Sequence, residues 1–123
     1  MKVILDTHIF LWALAEPGKI PARKRSEIES VANQVFVSVI SIAEIMVKAS
    51  IGKLAVGYDP VEEAERCGFD LLDFSARDAL LLGKLPFHHR DPFDRMLIAQ
   101  SLSLGIAVMT EDTKFKLYDC RVI

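Results

Sequence analysis

Two carboxylates follow short apolar runs of the sequence. Asp6 comes directly after residues 3–5, and Asp112 comes shortly after residues 106–109. Continuous apolar runs of this length are typical of strands that are buried on both faces, as in a parallel sheet. Open α/β sheets bind their ligands at the edge where such strands end. We therefore expect Asp6 and Asp112 to lie at the same edge of a sheet.

Two further acids are expected to return to this edge from helices. Glu44 is the only acidic residue in the apolar stretch 35–47, and a buried glutamate requires a partner. Asp94 lies one turn into a long predicted helix, close to Asp91. Carboxylates that share one pocket repel each other unless protons or a cation neutralise them. Because no cysteine and no clear histidine cluster accompanies these acids, the hard oxygen ligands favour Mg²⁺ or Mn²⁺ over Zn²⁺.

A divalent cation held by carboxylates is the usual means by which proteins handle phosphate groups. Such a cation bridges to a phosphate oxygen, orients a water and stabilises the charge on the leaving oxygen. The net charge of the chain is −2, which provides no general attraction to nucleic acid or to an anionic membrane. A nucleic-acid partner would therefore be held locally or through the cation.

Strands and helices are predicted to alternate along the whole chain. The predicted strands are 3–5, 35–37, a short segment within 69–74, 106–109 and a small fifth strand over 120–123. The predicted helices are 7–15, 22–33, a helix capped by Ser38 or Ser41 that runs to Ser50, 61–67, 76–83 and 91–104. This pattern predicts an α/β fold, a three-layer sandwich with a small, mostly parallel sheet. No repeat or linker interrupts it, so we expect a single domain over residues 1–123.

The composition is that of a globular domain in a reducing compartment. With 123 residues, of which 51% are hydrophobic, the chain can form a substantial core. Its two cysteines, Cys67 and Cys120, are far apart and lack metal-ligand spacing, so we expect free thiols. The N-terminal residues have neither the pattern of a signal peptide nor that of a membrane span. We expect a cytoplasmic protein that does not associate with a membrane.

Four short motifs carry these residues in a characteristic order. They are Asp6-Thr7-His8 with Leu11-Trp12, Ser41-x-x-Glu44 with Lys48 and Gly52-Lys53-Leu54, His89-Arg90-Asp91-Pro92-Phe93-Asp94-Arg95, and Thr110-x-Asp112. Each motif alone is weak, but the four together cover nearly the whole chain. In this order they resemble the PIN-domain ribonucleases, and most closely the VapC-type toxins of bacterial type II toxin–antitoxin pairs.

The resemblance implies a PIN-like domain with a defined activity. That activity would be Mg²⁺-dependent endoribonuclease cleavage, in which a metal-activated water attacks RNA phosphodiester bonds. Family members are usually homodimers, and a cognate antitoxin protein inhibits them by laying its C-terminal segment along the active-site groove. The catalytic and metal-binding quartet in this sequence would be Asp6, Glu44, Asp94 and Asp112. The supporting residues would be Thr7, Ser41, Asp91 and Thr110.

Several of these acids also have a simple structural interpretation. Asp91 precedes Pro92, and an aspartate cap followed by proline is a favourable helix start. Asp112 could cap a short helix, as many aspartates do. Glu44 could pair with Lys48 one turn later, although such a pair contributes little and does not explain an acid in an apolar stretch.

The sequence predicts less specific roles for the basic residues and histidines near the motifs. Three basic side chains are candidate RNA contacts, with exposed surface or a salt bridge to a site carboxylate as the alternative: Lys48, Arg90 and Arg95. His8 is expected to point away from Asp6. We expect His88 and His89 to lie in a loop, as surface groups or substrate contacts.

Two other functional classes remain open from the sequence. A PIN-like binding module would bind a partner without catalysis. Such a module is expected to lack one or more of the four acids, whereas all four are present here. A metal-dependent nuclease that acts on structured DNA would share the chemistry, and a panel of substrates would separate it from a ribonuclease.

Overall fold

A four-stranded parallel sheet forms the centre of the fold. The computed structural model describes residues 1–123 and contains β1 (Lys2–Leu5), β2 (Gln34–Ser38), β3 (Asp70–Leu72) and β4 (Ala107–Met109). The strand order is β3-β2-β1-β4, and every pairing is parallel. The predicted α/β architecture with a small parallel sheet is therefore confirmed.

Six helices connect the strands. They are α1 (Thr7–Ala15), α2 (Ala22–Glu29), α3 (Val39–Ser50), α4 (Pro60–Arg66), α5 (Ala76–Leu81) and α6 (Pro92–Leu104). Short 3₁₀ segments cover Pro17–Lys19, Leu82–Lys84 and Thr113–Leu117. None of the helices has the length and apolar character that crossing a membrane requires. Both cysteines are free thiols, Cys67 exposed and Cys120 buried.

Two predicted elements differ clearly from those observed. Helix α2 ends at Glu29 rather than at residue 33, because Ser30 is extended and the Asn33 side chain donates to the carbonyl oxygen of Glu27 at 2.9 Å. Of the two caps predicted for α3, Ser38 is the one observed, because its Oγ accepts the Ile40 N–H at 3.0 Å. The predicted fifth strand is reduced to a single parallel bridge between Val108 and Val122.

The core is divided between the two faces of the sheet. Because strand residues alternate in direction, Val3 and Leu5 pack into a cluster that includes Ile45 of α3, whereas Ile4 packs into a second cluster with Leu97 of α6. All three β1 residues are fully buried. Strand β1 is thus central, with β2 and β4 as its neighbours.

The carboxyl ends of the strands form the edge that carries the acidic residues. The hydrogen bond from Asp6 N to the carbonyl oxygen of Met109, at 3.0 Å, continues the pairing of β1 with β4 beyond the strand. At this edge β1 leads into α1, and β2 leads into α3, while Thr110 and Asp112 follow β4. As predicted, Asp6 and Asp112 lie at the same edge of the sheet.

Candidate metal centre

Asp6 is a buried acid that two donors hold in place. It is the N-cap of α1, where its Oδ1 accepts the Ile9 N–H at 2.8 Å. Its Oδ2 accepts the Thr110 hydroxyl at 2.5 Å. Burial raises the pKa of Asp6, and the hydrogen bonds from Thr110 and Ile9 act in the opposite direction. The position of this carboxylate is therefore fixed by β4 as well as by its own helix.

Thr110 links Asp6 to Asp112. Its Oγ1 donates to Asp6 and accepts the Asp112 N–H at 3.0 Å. Asp112 caps the following 3₁₀ segment, since its Oδ1 accepts the Lys114 N–H at 2.9 Å. Its other oxygen, Oδ2, is directed to the ring of His89 at 3.2 Å. The cap predicted for Asp112 is confirmed, and one oxygen of the carboxylate remains directed into the site.

Glu44 has the partners that its apolar surroundings require. The side chain is only 4% exposed, and its Oε2 lies 2.5 Å from Lys48 Nζ. Its Oε1 accepts the Thr7 hydroxyl at 2.6 Å, and Thr7 Oγ1 lies 2.9 Å from Ser41 Oγ. The hydrogen bond to Glu44 raises the pKa of Lys48, as do the charges of Asp91 and Asp94 to a lesser degree. The acids of α3 and α6 therefore share one electrostatic environment.

Asp91 and Asp94 begin α6 with different tasks. Asp91 caps the helix, because its Oδ1 accepts the N–H groups of Phe93 and Asp94 at 2.8 and 3.0 Å. Asp94 directs its Oδ2 to His89 Nε2 at 2.8 Å. Burial, together with the nearby charge of Asp91, raises the pKa of Asp94 to about 6, while His89 acts in the opposite direction. The structural interpretation of Asp91 is thus confirmed.

His89 belongs to the site, although its sequence context predicted a surface group or a substrate contact. It is 7% exposed rather than on the surface, and its Nε2 lies between the carboxylates of Asp94 and Asp112. His88 is exposed, as predicted, and so is His8 on α1. The only sequence feature that pointed to His89 was its position five residues before Asp94, which does not determine the course of an irregular loop.

Arg95 requires the second correction at the site. The residue is 7% exposed, and its side chain points into the loop that precedes α6 instead of toward solvent. Its guanidinium donates to the Tyr118 hydroxyl and to four carbonyl oxygens, those of Leu82, Leu85, Pro86 and His89. These donors are used within the protein, so the predicted RNA contact through Arg95 is wrong.

The other two candidate RNA contacts have accessible side chains. Arg90 is exposed, and the Lys48 side chain is 36% exposed even though it pairs with Glu44. Lys48 lines a groove of about 400 Å³ whose wall also includes Thr7, Trp12 and Tyr58. RNA contact through Lys48 and Arg90 remains a prediction.

The chemistry of the side chains fits a hard divalent cation. A ring nitrogen of His89 and one carboxylate oxygen each of Asp94 and Asp112 lie within 4.8 Å of one another. Asp6 joins this group through Thr110, and carboxylate oxygens dominate the set. Such a set suits Mg²⁺ or Mn²⁺. A cation would also offset the raised pKa values of Asp6 and Asp94, because it stabilises the ionised carboxylates.

Comparisons with known proteins agree with this fold. A family model of the PIN domain matches residues 3–119, and no curated protein matches the chain. A chain of the VapBC2 structure from Rickettsia felis, bound to a promoter DNA fragment, is similar with a TM-score of 0.76 and 18% identity over 100% of this chain and 98% of that chain.

Two further solved structures are similar. A chain of VapBC-1 from nontypeable Haemophilus influenzae has a TM-score of 0.70 and 21% identity, covering 100% of this chain and 97% of that chain. A chain of VapBC-5 from Mycobacterium tuberculosis, a member of the VapBC family of toxin-antitoxin systems, has a TM-score of 0.58 and 21% identity, covering 99% and 95%. At these identities the similarity establishes a shared fold.

Proposed function

Since this chain belongs to the PIN domain family, we propose that it is a metal-dependent endoribonuclease, the toxin of a type II toxin–antitoxin pair. PIN domains are generally nucleases and generally use divalent metals. We further propose that residues 1–123 form one PIN-like domain that acts in the cytoplasm on RNA.

The observation that carries this proposal is the convergence of acids from separate elements at one edge of the sheet. Asp6 and Asp112 are joined through Thr110, and Asp112 is joined to Asp94 through His89. Glu44 lies near enough to raise the pKa of Asp94. Lys48 pairs with Glu44, but one lysine does not balance the charge of four neighbouring carboxylates. Buried or half-buried acids in this number therefore favour a bound cation.

Each residue has a defined part in the proposed reaction. Mg²⁺ or Mn²⁺ would be held by Asp6, Glu44, Asp94 and Asp112. When bound, the cation supplies Lewis-acid stabilisation of phosphate charge and lowers the pKa of the attacking water. Thr110 fixes the carboxylate of Asp6. Thr7 donates to Glu44, and the Ser41 hydroxyl lies against Thr7 and holds it in place.

Two basic side chains at the rim of the site are proposed to contact the RNA backbone. Lys48 projects from α3 beside Glu44, and Arg90 lies on the surface one residue before the cap of α6. A local arrangement of this kind agrees with the net charge of −2, since the whole molecule provides no attraction to a polyanion.

We also propose an antitoxin partner and a homodimer. Support for the antitoxin comes from the solved VapBC structures, one of which belongs to a family described as toxin-antitoxin systems. The groove beside Glu44 combines apolar residues such as Leu11 and Trp12 with Lys48 and Lys53. A peptide with apolar and acidic side chains would complement it.

Cleavage of RNA by the purified chain tests the proposed function. Labelled RNA and DNA of the same sequence would be incubated with Mg²⁺, with Mn²⁺ and with a chelator, in parallel with an Asp6→Asn variant. Asparagine keeps an oxygen that can accept the Ile9 N–H, so the cap of α1 is retained. We expect cleavage of RNA that requires metal and that falls at least about a hundredfold in Asp6→Asn.

Other outcomes of the same assay would contradict the proposal. Cleavage of DNA alone would indicate the DNA nuclease. Cleavage that persists in chelator, or in Asp6→Asn, would show that the acidic quartet does not take part in the reaction. A chain that binds its partner but cleaves neither nucleic acid and binds no Mn²⁺ would be the binding module.

A further inference from the structure

Hydrogen bonds fix both main-chain polar groups of His89, the N–H and the carbonyl oxygen. Its N–H donates to the Tyr118 hydroxyl at 2.9 Å, and its carbonyl oxygen accepts from Arg95 at 3.4 Å. The Tyr118 hydroxyl in turn donates to the carbonyl oxygen of Pro86 at 2.8 Å. Arg95 and Tyr118 therefore form a buried clamp on the loop that precedes α6.

The ring of His89 is fixed as well. It meets the ring of Phe115 edge to face, with 6.1 Å between the ring centroids, and its side chain is only 8% exposed. The Asp91 N–H faces Nδ1 at 3.4 Å, so Nδ1 acts as an acceptor and Nε2 carries a ring hydrogen. This hydrogen is directed toward the carboxylates of Asp94 and Asp112.

The two carboxylates that meet Nε2 come from different elements. Asp94 belongs to the first turn of α6, and Asp112 caps the 3₁₀ segment that follows β4. Their Oδ2 atoms lie 2.8 and 3.2 Å from Nε2. No hydrogen bond links Asp94 with Asp112 directly, so the imidazole is the group that connects them.

We propose that His89 is a positioning residue of the metal centre, whose Nε2–H holds the Asp94 and Asp112 carboxylates in the orientation in which both bind one cation. This inference rests on the proposed function, because it requires a divalent cation at these acids. Donors that orient metal-binding carboxylates typically change metal affinity by about 10- to 100-fold when they are removed. The Arg95–Tyr118 clamp serves the same end, since it sets the position of the imidazole.

Electrostatics alone would give the opposite result. An N–H group directed at two carboxylates reduces their attraction for a cation, so its loss would strengthen metal binding if the carboxylates stayed in place. Positioning predicts weaker binding, because the two acids separate when nothing connects them. The sign of the change in metal affinity therefore distinguishes the two accounts.

Mn²⁺ affinity of the full chain, measured by titration calorimetry, tests the proposal. His89→Phe keeps a ring of similar size and removes the donor, whereas His89→Gln restores an N–H at similar reach. We expect the Mn²⁺ dissociation constant to rise about 10- to 100-fold in His89→Phe and to stay within about threefold of the wild type in His89→Gln. His88→Phe is the matched control at the neighbouring exposed position, and we expect no change there.

The results separate this proposal from the function on which it rests. Wild-type chain that binds no Mn²⁺ would contradict both. Wild-type chain that binds Mn²⁺, with His89→Phe binding equally well or more tightly, would overturn only the positioning role. If His89→Phe is unfolded in chelator, Tyr118→Phe, which removes the hydroxyl of the clamp, is measured in its place. We expect a smaller loss of Mn²⁺ affinity in Tyr118→Phe than is predicted for His89→Phe. Unchanged Mn²⁺ affinity in Tyr118→Phe would overturn the proposal.

Discussion

Asp94 is the acid of the site whose ionisation lies closest to neutral pH. Burial raises its pKa to about 6 in the folded protein, against about 4 in an unfolded chain. Because the folded-state value is the higher one, ionisation of Asp94 disfavours folding. The cost is absent below about pH 4, grows up to about pH 6 and is complete above it.

Replacement of Asp94 by asparagine should therefore stabilise the metal-free protein at high pH. In chelator we expect Asp94→Asn to raise the free energy of unfolding by about 1 to 3 kcal/mol near pH 8 and by much less near pH 4. Urea denaturation at both pH values measures this, with Asp119→Asn as a control at an exposed position. Equal effects of Asp94→Asn at the two pH values would contradict the raised pKa.

Residues that follow regular elements were predictable, and those in the loop were not. The apolar run before Asp6 and the isolated acid Glu44 located both at the edge of the sheet. His89 and Arg95 depend on Tyr118, which lies 29 and 23 residues further along the chain. A contact between such distant positions has no local pattern, so the burial of both side chains could not be inferred.

At the scale of the element, the start of α6 combines a structural task with a proposed functional one. Asp91 supplies the cap through a single carboxylate oxygen, and an amide oxygen can take its place. We expect Asp91→Ala to lower the free energy of unfolding by about 1 kcal/mol and Asp91→Asn to change it by a few tenths. Chemical denaturation in chelator provides the measurement.

The same two variants distinguish the cap from a metal role. If Asp91 only caps the helix, the Mn²⁺ affinity of Asp91→Asn should stay close to that of the wild type. A large loss of affinity in Asp91→Asn with unchanged stability would show that its charge acts on the cation directly.

Helix boundaries were predictable where the sequence has a local cap. Asp-Pro begins α6, and Gly105 ends it in the left-handed conformation at φ 66°, which glycine adopts without strain. The end of α2 was predicted too late, because a side-chain hydrogen bond from Asn33 ends that helix. Such a bond depends on the turn that follows and is not visible in the helical pattern.

At the scale of the whole molecule, charge should make RNA binding only moderately sensitive to salt. The net charge is −2, and the proposed backbone contacts are Lys48 and Arg90. We assume about two phosphate contacts to single-stranded RNA. A plot of the logarithm of the binding constant against the logarithm of the salt concentration should then have a slope of about −1.4. The KM for RNA should then rise about sevenfold between about 50 and 200 mM KCl at constant Mg²⁺.

Steady-state kinetics across this salt range checks the prediction. A much steeper dependence would mean that basic residues beyond Lys48 and Arg90 contact the RNA. A KM that does not change with salt would mean that neither Lys48 nor Arg90 contacts the RNA backbone. The cation alone would then account for RNA binding.

The sequence predicted the architecture better than the arrangement of the strands. Alternation of apolar runs with helical segments is enough to predict a small parallel sheet with helices on both faces. The order β3-β2-β1-β4 depends on pairings between distant segments, and the fifth strand became a single bridge at Val122. The convergence of the acids followed from the parallel arrangement, since parallel strands end at a common edge.

A crystal of the protein soaked in Mn²⁺ tests the central claim most directly. The anomalous difference map locates the cation without reference to activity or substrate. We predict a peak within coordination distance of the four acids Asp6, Glu44, Asp94 and Asp112. A map without a peak at this edge of the sheet, or with its peak elsewhere on the molecule, would contradict the metal-dependent mechanism.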